Sequence, residues 1–471
     1  KDATAAFYLL PSRAWELGLG GLVALTSNRS GLLVREAGAW TGLLMVIGSL
    51  WWLTKHTPFP GLAAIPPVLG TVLIIWAGSG LGAHDEKPIV VRLLGWRPLV
   101  FIGLISYSLY LWHWPFFAFH RYLNFQSPGV GLSLLYVLAA FLFSVATYHV
   151  IEQPIRRKTV LASRKSIFYF WGGTSAVLGA VGLALAFSDG LPRRLPEAAL
   201  HYAQLQGQKA NLLNEPAGVR STRHGVLGAE DGAVKALVWG DSHANAMLPA
   251  LDLAGKQAGV AIQARIMMGN APVLGWSYET PASKSGSGML SFNSAVFDEI
   301  AHLAEDGQLD MVFLIFRWAR YLQRTPPLEF ENPPPGFAEA LEGTVEKLAA
   351  LGLRVMVILE PPAFPVHVPR AFALHEFIGS ELPELSVTEA VSFSEPYASL
   401  IKKLTENSGP VVLLDPTPVL VGEDGLVQTT NKEGKLLYAD EHHLSYFGAR
   451  QTTPLLLRAI ESTLDAADGV Q

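Results

Sequence analysis

The chain has 471 residues, 50% of them apolar, and a formal net charge of −5 at pH 7. This charge excludes the broad basic surface that nucleic-acid-binding proteins use. The absence of cysteine excludes disulfide bonds, thiolate-bound zinc and a cysteine nucleophile. Long apolar runs are concentrated before residue 190, so a membrane part followed by a soluble part is predicted.

Six apolar stretches are long enough to cross a bilayer as helices, which takes about 20 residues each. We predict spans at 7–25, 37–54, 60–80, 99–119, 130–151 and 168–187. One such stretch alone could be a buried core helix, but six in succession favour a membrane domain. The sequence starts at Lys1 and enters an apolar stretch almost at once, so we expect a piece of a longer protein.

Basic residues in the predicted loops give an orientation. The first, third and fifth loops are basic, whereas the second and fourth carry one basic residue each. By the positive-inside rule the odd loops are cytoplasmic, so everything after the sixth span is expected on the outer side. The odd loops contribute Arg29, Arg35, Lys87, Arg92, Arg97, Arg156, Arg157, Lys158, Arg164 and Lys165, and the even loops Lys55 and Arg121.

Several polar residues fall within or beside these spans. Arg13 and Glu16 are three apart and therefore share a helix face, where they can partly neutralise each other. A charge at membrane depth costs about 2.5–3.5 kcal/mol, so such a pair faces a cavity or lies at the interface. His113 stands between two tryptophans, which fit either a substrate tunnel or an aromatic belt, and Glu152 can simply pair with the arginines that follow it.

Beyond the spans, residues 191–228 predict a linker with one helix near 197–213. Short apolar strands then alternate with helical patterns, which is typical of a doubly wound α/β domain with a largely parallel sheet and a site at the strand carboxyl ends. The predicted strands are 236–240, 260–266, 311–316, 354–359 and 411–414, and the predicted helices include 293–304, 336–351, 397–405 and 446–463.

The turn Gly240-Asp241-Ser242 follows the first of these strands and leads into a helix. The first N–H groups of a helix have no helical partner, so a serine placed there is suited to a reaction that forms an oxyanion. The alternative interpretation is purely structural, with Asp241 capping the helix.

Near the end, Asp440 precedes His443 by three residues, and Leu444 and Ser445 follow. This order, with Gly-Asp-Ser early and Asp-x-x-His-Leu-Ser late, resembles the SGNH hydrolases. The resemblance implies that Ser242 is the nucleophile, His443 its general base and Asp440 the carboxylate that orients the imidazole, which agrees with the chemistry of an activated serine. His442 is an alternative base, and His243 is expected to shape the turn.

For the oxyanion hole, we expect the backbone N–H of Ser242 and a second donor from the loop 268–272, with Gly269 and Asn270 as candidates. SGNH enzymes commonly carry an asparagine after the third strand, but this chain has Phe316-Arg317-Trp318 there. Arg317 or Trp318 could line the site instead, and Trp318 could equally be core packing.

The sequences at 7–17, 105–115 and 151–157 resemble, in family order, the second half of the membrane-bound acyltransferase-3 (AT3) family. Members with a serine-containing domain after an extra helix are O-acetyltransferases of bacterial surface polysaccharides. The resemblance implies a partial AT3 membrane domain with about five spans at 1–160, an additional span at 161–190, a linker at 191–228 and an outer SGNH-like domain at 229–471. Because the family has about ten helices and a catalytic histidine in the first, the donor-side residues are expected to lie before this chain.

Together the resemblances imply an O-acyltransferase of the bacterial inner membrane. Acyl-CoA, above all acetyl-CoA, would be the donor and a glycan hydroxyl the acceptor, with no metal, no covalently bound cofactor and no nucleic acid. One alternative is a membrane-tethered esterase or deacetylase, because water can attack the same acyl-enzyme. Another is a binding module with a degenerate site. The sequence leaves the glycan, the acyl chain and the oligomeric state open.

Overall fold

The computed structural model describes residues 10–54, 57, 61–82, 84–125, 127–205, 224–277, 286–322, 336–394, 398–407 and 410–468. The chain divides into two compact units, Lys1–Ala176 and Val177–Gln471. The first is helical, and the second is an α/β unit.

The helices of the first unit follow the apolar stretches of the sequence. Among the described residues, four helical segments are long and apolar enough to span a membrane: Leu32–Trp52, Arg97–Asn124, Val130–Arg156 and Arg164–Phe187. Leu62–Gly78 is apolar but shorter, and the helix Leu10–Ala24 has 15 residues. Four of the six predicted spans therefore have a helix of sufficient length, whereas those at 7–25 and 60–80 stay predictions. Residues 7–9 and 60 and the loop cation Lys55 lie outside the described residues.

We number these helices α1 to α8. Their bounds are α1 Leu10–Ala24, α2 Leu32–Trp52, α3 Ile65–Gly78, α4 Ile89–Leu94, α5 Arg97–Asn124, α6 Val130–Thr147, α7 Gln153–Arg156 and α8 Arg164–Phe187, with 3-10 turns at Leu62–Ala64 and Pro192–Arg194 and a π-helical turn at Tyr148–Glu152.

Helices α2 and α3 approach each other closely because glycines face each other. A Cβ atom built on Gly42 would lie 2.5 Å from the carbonyl oxygen of Gly70. Arg35 was predicted to lie in the first loop, but it is buried in the first turn of α2. Its guanidinium donates to the carbonyls of Ala77 and Ser79, at 2.9 and 2.8 Å, and so binds the carbonyl end of α3, where a cation is favourable.

The second unit contains a six-stranded sheet in the order β1-β3-β2-β4-β5-β6. All neighbouring strands are parallel except β1, which is antiparallel to β3. The strands are β1 His224–Gly228, β2 Val234–Gly240, β3 Ala261–Ile266, β4 Met311–Ile315, β5 Arg354–Ile358 and β6 Val411–Leu414. The five predicted strands correspond to β2–β6. The predicted linker 191–228 is wrong at its end, since 224–228 is β1; of its predicted helix, Glu197–Leu205 is observed and 206–213 lies outside the described residues.

Helices cover both faces of this sheet because the strands are apolar on both sides. Along β2, Ala236 and Val238 belong to one buried cluster, and Leu237 and Trp239 to the other. The first cluster also holds residues of α10, α14 and α19, and the second holds residues of α11, α13 and α16. The helices are α9 Glu197–Leu205, α10 Ser242–Ala258, α11 Gly286–Glu305, α12 Trp318–Leu322, α13 Phe337–Ala350, α14 Val368–Ile378, α15 Val387–Ser394, α16 Ala398–Asn407, α17 Thr417–Leu420, α18 Tyr446–Gln451 and α19 Thr453–Asp468.

The predicted helix 446–463 is two helices, α18 and α19, separated at Thr452. Pro454 is the second residue of α19. Proline lacks an N–H group and its ring clashes with the preceding turn, so one continuous helix cannot pass through this position without a break. The predicted doubly wound, largely parallel architecture is confirmed.

Candidate active site

The turn after β2 places Ser242 at the first position of α10. Asp241 is the N-cap of this helix, and its carboxylate accepts a hydrogen bond of 2.8 Å from the backbone N–H of His243. The capping function and the presentation of the serine therefore coexist in one turn. His243 shapes the turn through this backbone bond.

Gly240 is required by the close approach of the neighbouring strand. A Cβ atom built on Gly240 would lie 1.9 Å from the carbonyl oxygen of Ile315 in β4 and 2.7 Å from the Cβ of Ala244. Since the first of these contacts is with backbone, no rotamer change can relieve it. Because β2 pairs closely with β4 at this point, there is no space for a side chain at position 240.

Replacing Gly240 with alanine should therefore destabilise the second unit by more than about 3 kcal/mol, because strands β2 and β4 would have to separate. Thermal unfolding of the purified full chain would measure the loss. Gly343 in α13 is a matched control, since a Cβ there meets nothing within 4 Å and alanine favours a helix by about 0.5–1 kcal/mol. Equal melting temperatures for the two variants would contradict the prediction.

The late loop brings Asp440 and His443 to the serine. The Nε2 atom of His443 lies 2.8 Å from Oγ of Ser242, and its Nδ1 atom lies 2.6 Å from a carboxylate oxygen of Asp440. The other carboxylate oxygen accepts the backbone N–H groups of His442 and His443 at 2.9 and 2.7 Å. The three residues predicted to act together thus form one hydrogen-bonded chain.

The electrostatics of Asp440 favour its ionised form. Burial alone would raise the pKa of this carboxyl group, but the hydrogen bonds from His443 and the nearby imidazoles outweigh it and hold the pKa well below its ordinary value. An ionised Asp440 keeps the proton of His443 on Nδ1, which leaves Nε2 free to accept the serine proton. Ser445 caps α18, where its hydroxyl accepts from the N–H groups of Phe447 and Gly448 at 3.1 Å each.

Asp241 connects the serine turn to the segment after β4. Its second carboxylate oxygen accepts the backbone N–H of Arg317 at 3.1 Å and the hydroxyl of Tyr321 at 3.4 Å. Burial raises the pKa of Asp241, and the hydrogen bonds from His243 and Arg317 oppose that shift. The turn that carries Ser242 is thereby tied to the segment after β4.

Gly269 and Asn270 were the two candidates for the second hydrogen-bond donor of the oxyanion hole. Asn270 was a candidate, but its backbone N–H donates to Met267 at 3.0 Å and its side-chain amide donates to Asn293 at 2.9 Å. Asn270 therefore belongs to a buried amide network, and its role in the oxyanion hole stays a prediction. Gly269 adopts the left-handed region with φ of 70°, and its role stays a prediction, as does that of the Ser242 N–H.

The segment after β4 contributes one residue to the site and one to the core. Trp318 is buried, stacks on Phe316 and donates its indole N–H to the carbonyl of Ile358 at 3.0 Å, so it is core packing. Arg317 instead reaches the site, where its guanidinium lies 2.8 Å from Nε2 of His442. From the sequence, either residue could have lined the site, and Trp318 could equally have been core packing.

Three histidine rings, those of His243, His442 and His443, form a cluster beside Ser242. One ring nitrogen from each lies within 4.8 Å of the others, a spacing that could hold a metal ion. In this arrangement, however, Nε2 of His443 bonds Ser242, and Nε2 of His243 lies 3.1 Å from Nδ1 of His442. Both ring nitrogens of His442 and His443, and Nε2 of His243, thus have hydrogen-bond partners. The sequence offered Arg317 as a residue that could line the site, but it gave no sign of the bond between Arg317 and His442.

Glu360 follows β5 and was not anticipated. It accepts the backbone N–H of Ala319 at 3.0 Å, and burial raises its pKa to about 7. Because the folded state binds this proton more tightly than the unfolded state, its contribution to stability is present below the unfolded pKa near 4.5 and is lost as the pH rises through about 7.

Replacing Glu360 with glutamine should therefore flatten the dependence of stability on pH between 5 and 8. The difference between 4.5 and about 7 corresponds to at most about 3 kcal/mol. Melting temperatures of the full chain across this range would show the effect, with Glu346→Gln on the exposed face of α13 as the control. The same slope in wild type and Glu360→Gln would refute it.

The polar residues predicted in the first unit have partners in their own helices. Arg13 and Glu16 form a salt bridge of 3.2 Å, and Arg156 pairs with Glu152 at 3.3 Å. The Nδ1 atom of His113 lies 2.7 Å from the carbonyl of Tyr110, so that nitrogen carries the proton. Any role of these residues beyond such local bonds stays a prediction.

Comparisons with known proteins fit this arrangement. A family model described as an SGNH domain fused to AT3 domains matches residues 209–458. The chain is 25% identical over 191 residues to a putative peptidoglycan O-acetyltransferase, YrhL, of Bacillus subtilis, covering 37% of this chain and 30% of that protein. It is 26% identical over 211 residues to the peptidoglycan O-acetyltransferase OatA of Listeria monocytogenes, covering 40% and 33%. The chain therefore spans about a third of the length of these relatives.

Among solved structures, the periplasmic domain of a lipopolysaccharide acetyltransferase from Salmonella ser. Paratyphi A gives a TM-score of 0.39 at 14% identity, covering 57% of this chain and 99% of that one. A protein described as a putative platelet activating factor from Streptococcus pneumonia gives 0.28 at 15% identity, covering 59% and 99%.

Proposed function

The chain belongs to the family of SGNH domains fused to AT3 domains, and from this premise we propose that it is an O-acyltransferase that transfers acetyl groups to a cell-surface polysaccharide. The observation that carries the proposal is the hydrogen-bonded chain from Ser242 through His443 to Asp440. The similarity to proteins described as peptidoglycan O-acetyltransferases supports the acceptor class.

In the first half-reaction, Oγ of Ser242 attacks the carbonyl carbon of the acyl donor while Nε2 of His443 takes its proton. The carbonyl oxygen becomes an oxyanion, which N–H groups at the start of α10 would stabilise. Collapse of this intermediate breaks the bond to the leaving group, which receives the proton from His443. The acyl group is then an ester of Ser242.

In the second half-reaction, a sugar hydroxyl attacks the ester and gives its proton to His443. Collapse of this second intermediate breaks the ester bond to Oγ of Ser242 and leaves the acyl group on the sugar oxygen. His443 gives its proton back to Oγ of Ser242. Asp440 remains ionised throughout and stabilises the imidazolium that forms twice in each cycle. These steps use only residues of this chain, the donor and the acceptor.

We also propose the cellular setting. The charge pattern of the loops supports a bacterial inner-membrane protein whose second unit lies on the outer, periplasmic side. Acyl-CoA on the cytoplasmic side would supply the acyl group through a complete AT3 domain, and Ser242 would receive it outside. The bilayer, the acyl-CoA donor and the glycan acceptor are the partners this proposal requires.

Chemical analysis of surface glycans after gene deletion tests the proposed function. We expect O-acetyl groups to be lost and to return when the intact gene is restored, but not when it carries Ser242→Ala. A gain of O-acetyl groups on deletion would establish the alternative, a membrane-tethered esterase. Unchanged acetylation in the Ser242→Ala strain, with normal protein levels, would exclude a role for this serine.

A further inference from the structure

A second set of hydrogen bonds lies beside Ser242, His443 and Asp440, and its donors and acceptors can be assigned. The guanidinium Nη1 of Arg317 lies 2.8 Å from Nε2 of His442. Arginine can only donate, so Nε2 of His442 must accept and the ring proton must be on Nδ1. That Nδ1 lies 3.1 Å from Nε2 of His243, which therefore accepts in turn.

The rings of His442 and His243 also pack against the ring of His443. The centroids of His442 and His443 are 4.1 Å apart, and those of His243 and His443 are 4.7 Å apart. The rings of His243 and His442 are nearly parallel, at 8°. Both nitrogens of His443 are already used by Asp440 and Ser242, so the neighbouring rings contact it by packing, tilted at 49° for His442 and 42° for His243.

We propose that Arg317 and His442 are positioning residues, which fix the imidazole of His443 against Ser242 by holding the neighbouring histidines in a single tautomeric arrangement. This inference rests on the proposed roles of Ser242 and His443. It also removes His442 as an alternative base, because neither of its nitrogens bonds Ser242.

The charge state of the cluster supports this arrangement. Burial, together with the cationic neighbours, lowers the pKa of His442 to about 3 and that of His243 well below its ordinary value. Both rings are therefore neutral near pH 7, as the accepting nitrogens require. A protonated His442 would have no lone pair to offer Arg317.

The test is a double-mutant cycle in the detergent-solubilised full chain, with p-nitrophenyl acetate as the acyl donor. Arg317→Met removes the donor but keeps the backbone bond to Asp241, and His442→Phe keeps a stacking ring without hydrogen bonds. We expect each to lower kcat about tenfold with KM within about twofold, and the double variant to be no slower than either single one. Arg317→Lys, which can still donate to His442, should restore most of the loss.

A merely structural role for these residues would give a different outcome. Losses that multiply in the double variant, a kcat for His442→Phe equal to that of wild type, or an Arg317→Lys variant as slow as Arg317→Met would each overturn the proposal. Melting temperatures of all variants identify those that fail to fold, and Arg317→Lys alone then decides the question. Retained wild-type turnover in Ser242→Ala would instead show that the proposed function is wrong, and the inference would fall with it.

Discussion

Replacing Ser242 with alanine is expected to lower the rate of acyl-enzyme formation by at least about 10⁴-fold, because no other group in this turn can form the ester. The backbone of α10 and its Asp241 cap do not depend on the serine hydroxyl. The variant should therefore fold and melt like wild type. Release of p-nitrophenol by the full chain and labelling by a fluorophosphonate probe would measure the loss.

Ser291 provides the matched control for this substitution. It is exposed on α11, and its hydroxyl donates to the carbonyl of Gly288 within its own helix. Ser291→Ala should keep wild-type turnover and probe labelling. Probe labelling of the Ser242→Ala variant at the wild-type rate would show that a different residue reacts.

Replacing Asp440 with asparagine should reduce kcat by about 10⁴-fold while leaving the fold intact. The amide oxygen can still accept the two backbone N–H groups that Asp440 binds. Its NH₂ group would then face Nδ1 of His443 and move the ring proton to Nε2. That nitrogen could no longer accept the proton of Ser242, so the nucleophile would not be activated.

The measurement for Asp440→Asn is the pre-steady-state rate of p-nitrophenol release, with Asp306→Asn as the control. Asp306 is a surface residue whose side chain pairs with His302 at 3.2 Å, remote in sequence from both site loops. A reduction below tenfold for Asp440→Asn would mean that the tautomer of His443 is fixed by another group.

The alternation of short apolar strands with helical patterns predicted the architecture well, because each strand is an apolar run that helices must cover on both faces of the sheet. β6 was predicted with its observed bounds, Val411–Leu414, and β4 to within one residue. β1 was missed because His224–Gly228 is too short and too rich in glycine to give a pattern of its own. Its pairing with β3 supplies what its sequence does not.

The candidate site shows the same division between local and tertiary information. Ser242, Asp440 and His443 could be grouped from the sequence because their two short motifs resemble those of SGNH hydrolases, and the structure brings the three side chains into hydrogen-bond contact. The bond between the side-chain amides of Asn270 and Asn293 could not be predicted, because only the folded chain brings the two residues together. Arg317 was placed beside the site in general terms, but its bond to His442 joins residues 125 positions apart.

The distance along the chain between Ser242 and His443 has a consequence for biosynthesis. Their side chains bond each other although they are 201 residues apart. At about 5–20 residues per second, a ribosome makes the serine about 10–40 seconds before its base. During that interval the nascent chain already carries the nucleophile turn but lacks the imidazole and the carboxylate. The complete set of side chains is therefore present only after the loop that follows β6 has been made, so Ser242 stays without its base until synthesis of the domain is nearly finished.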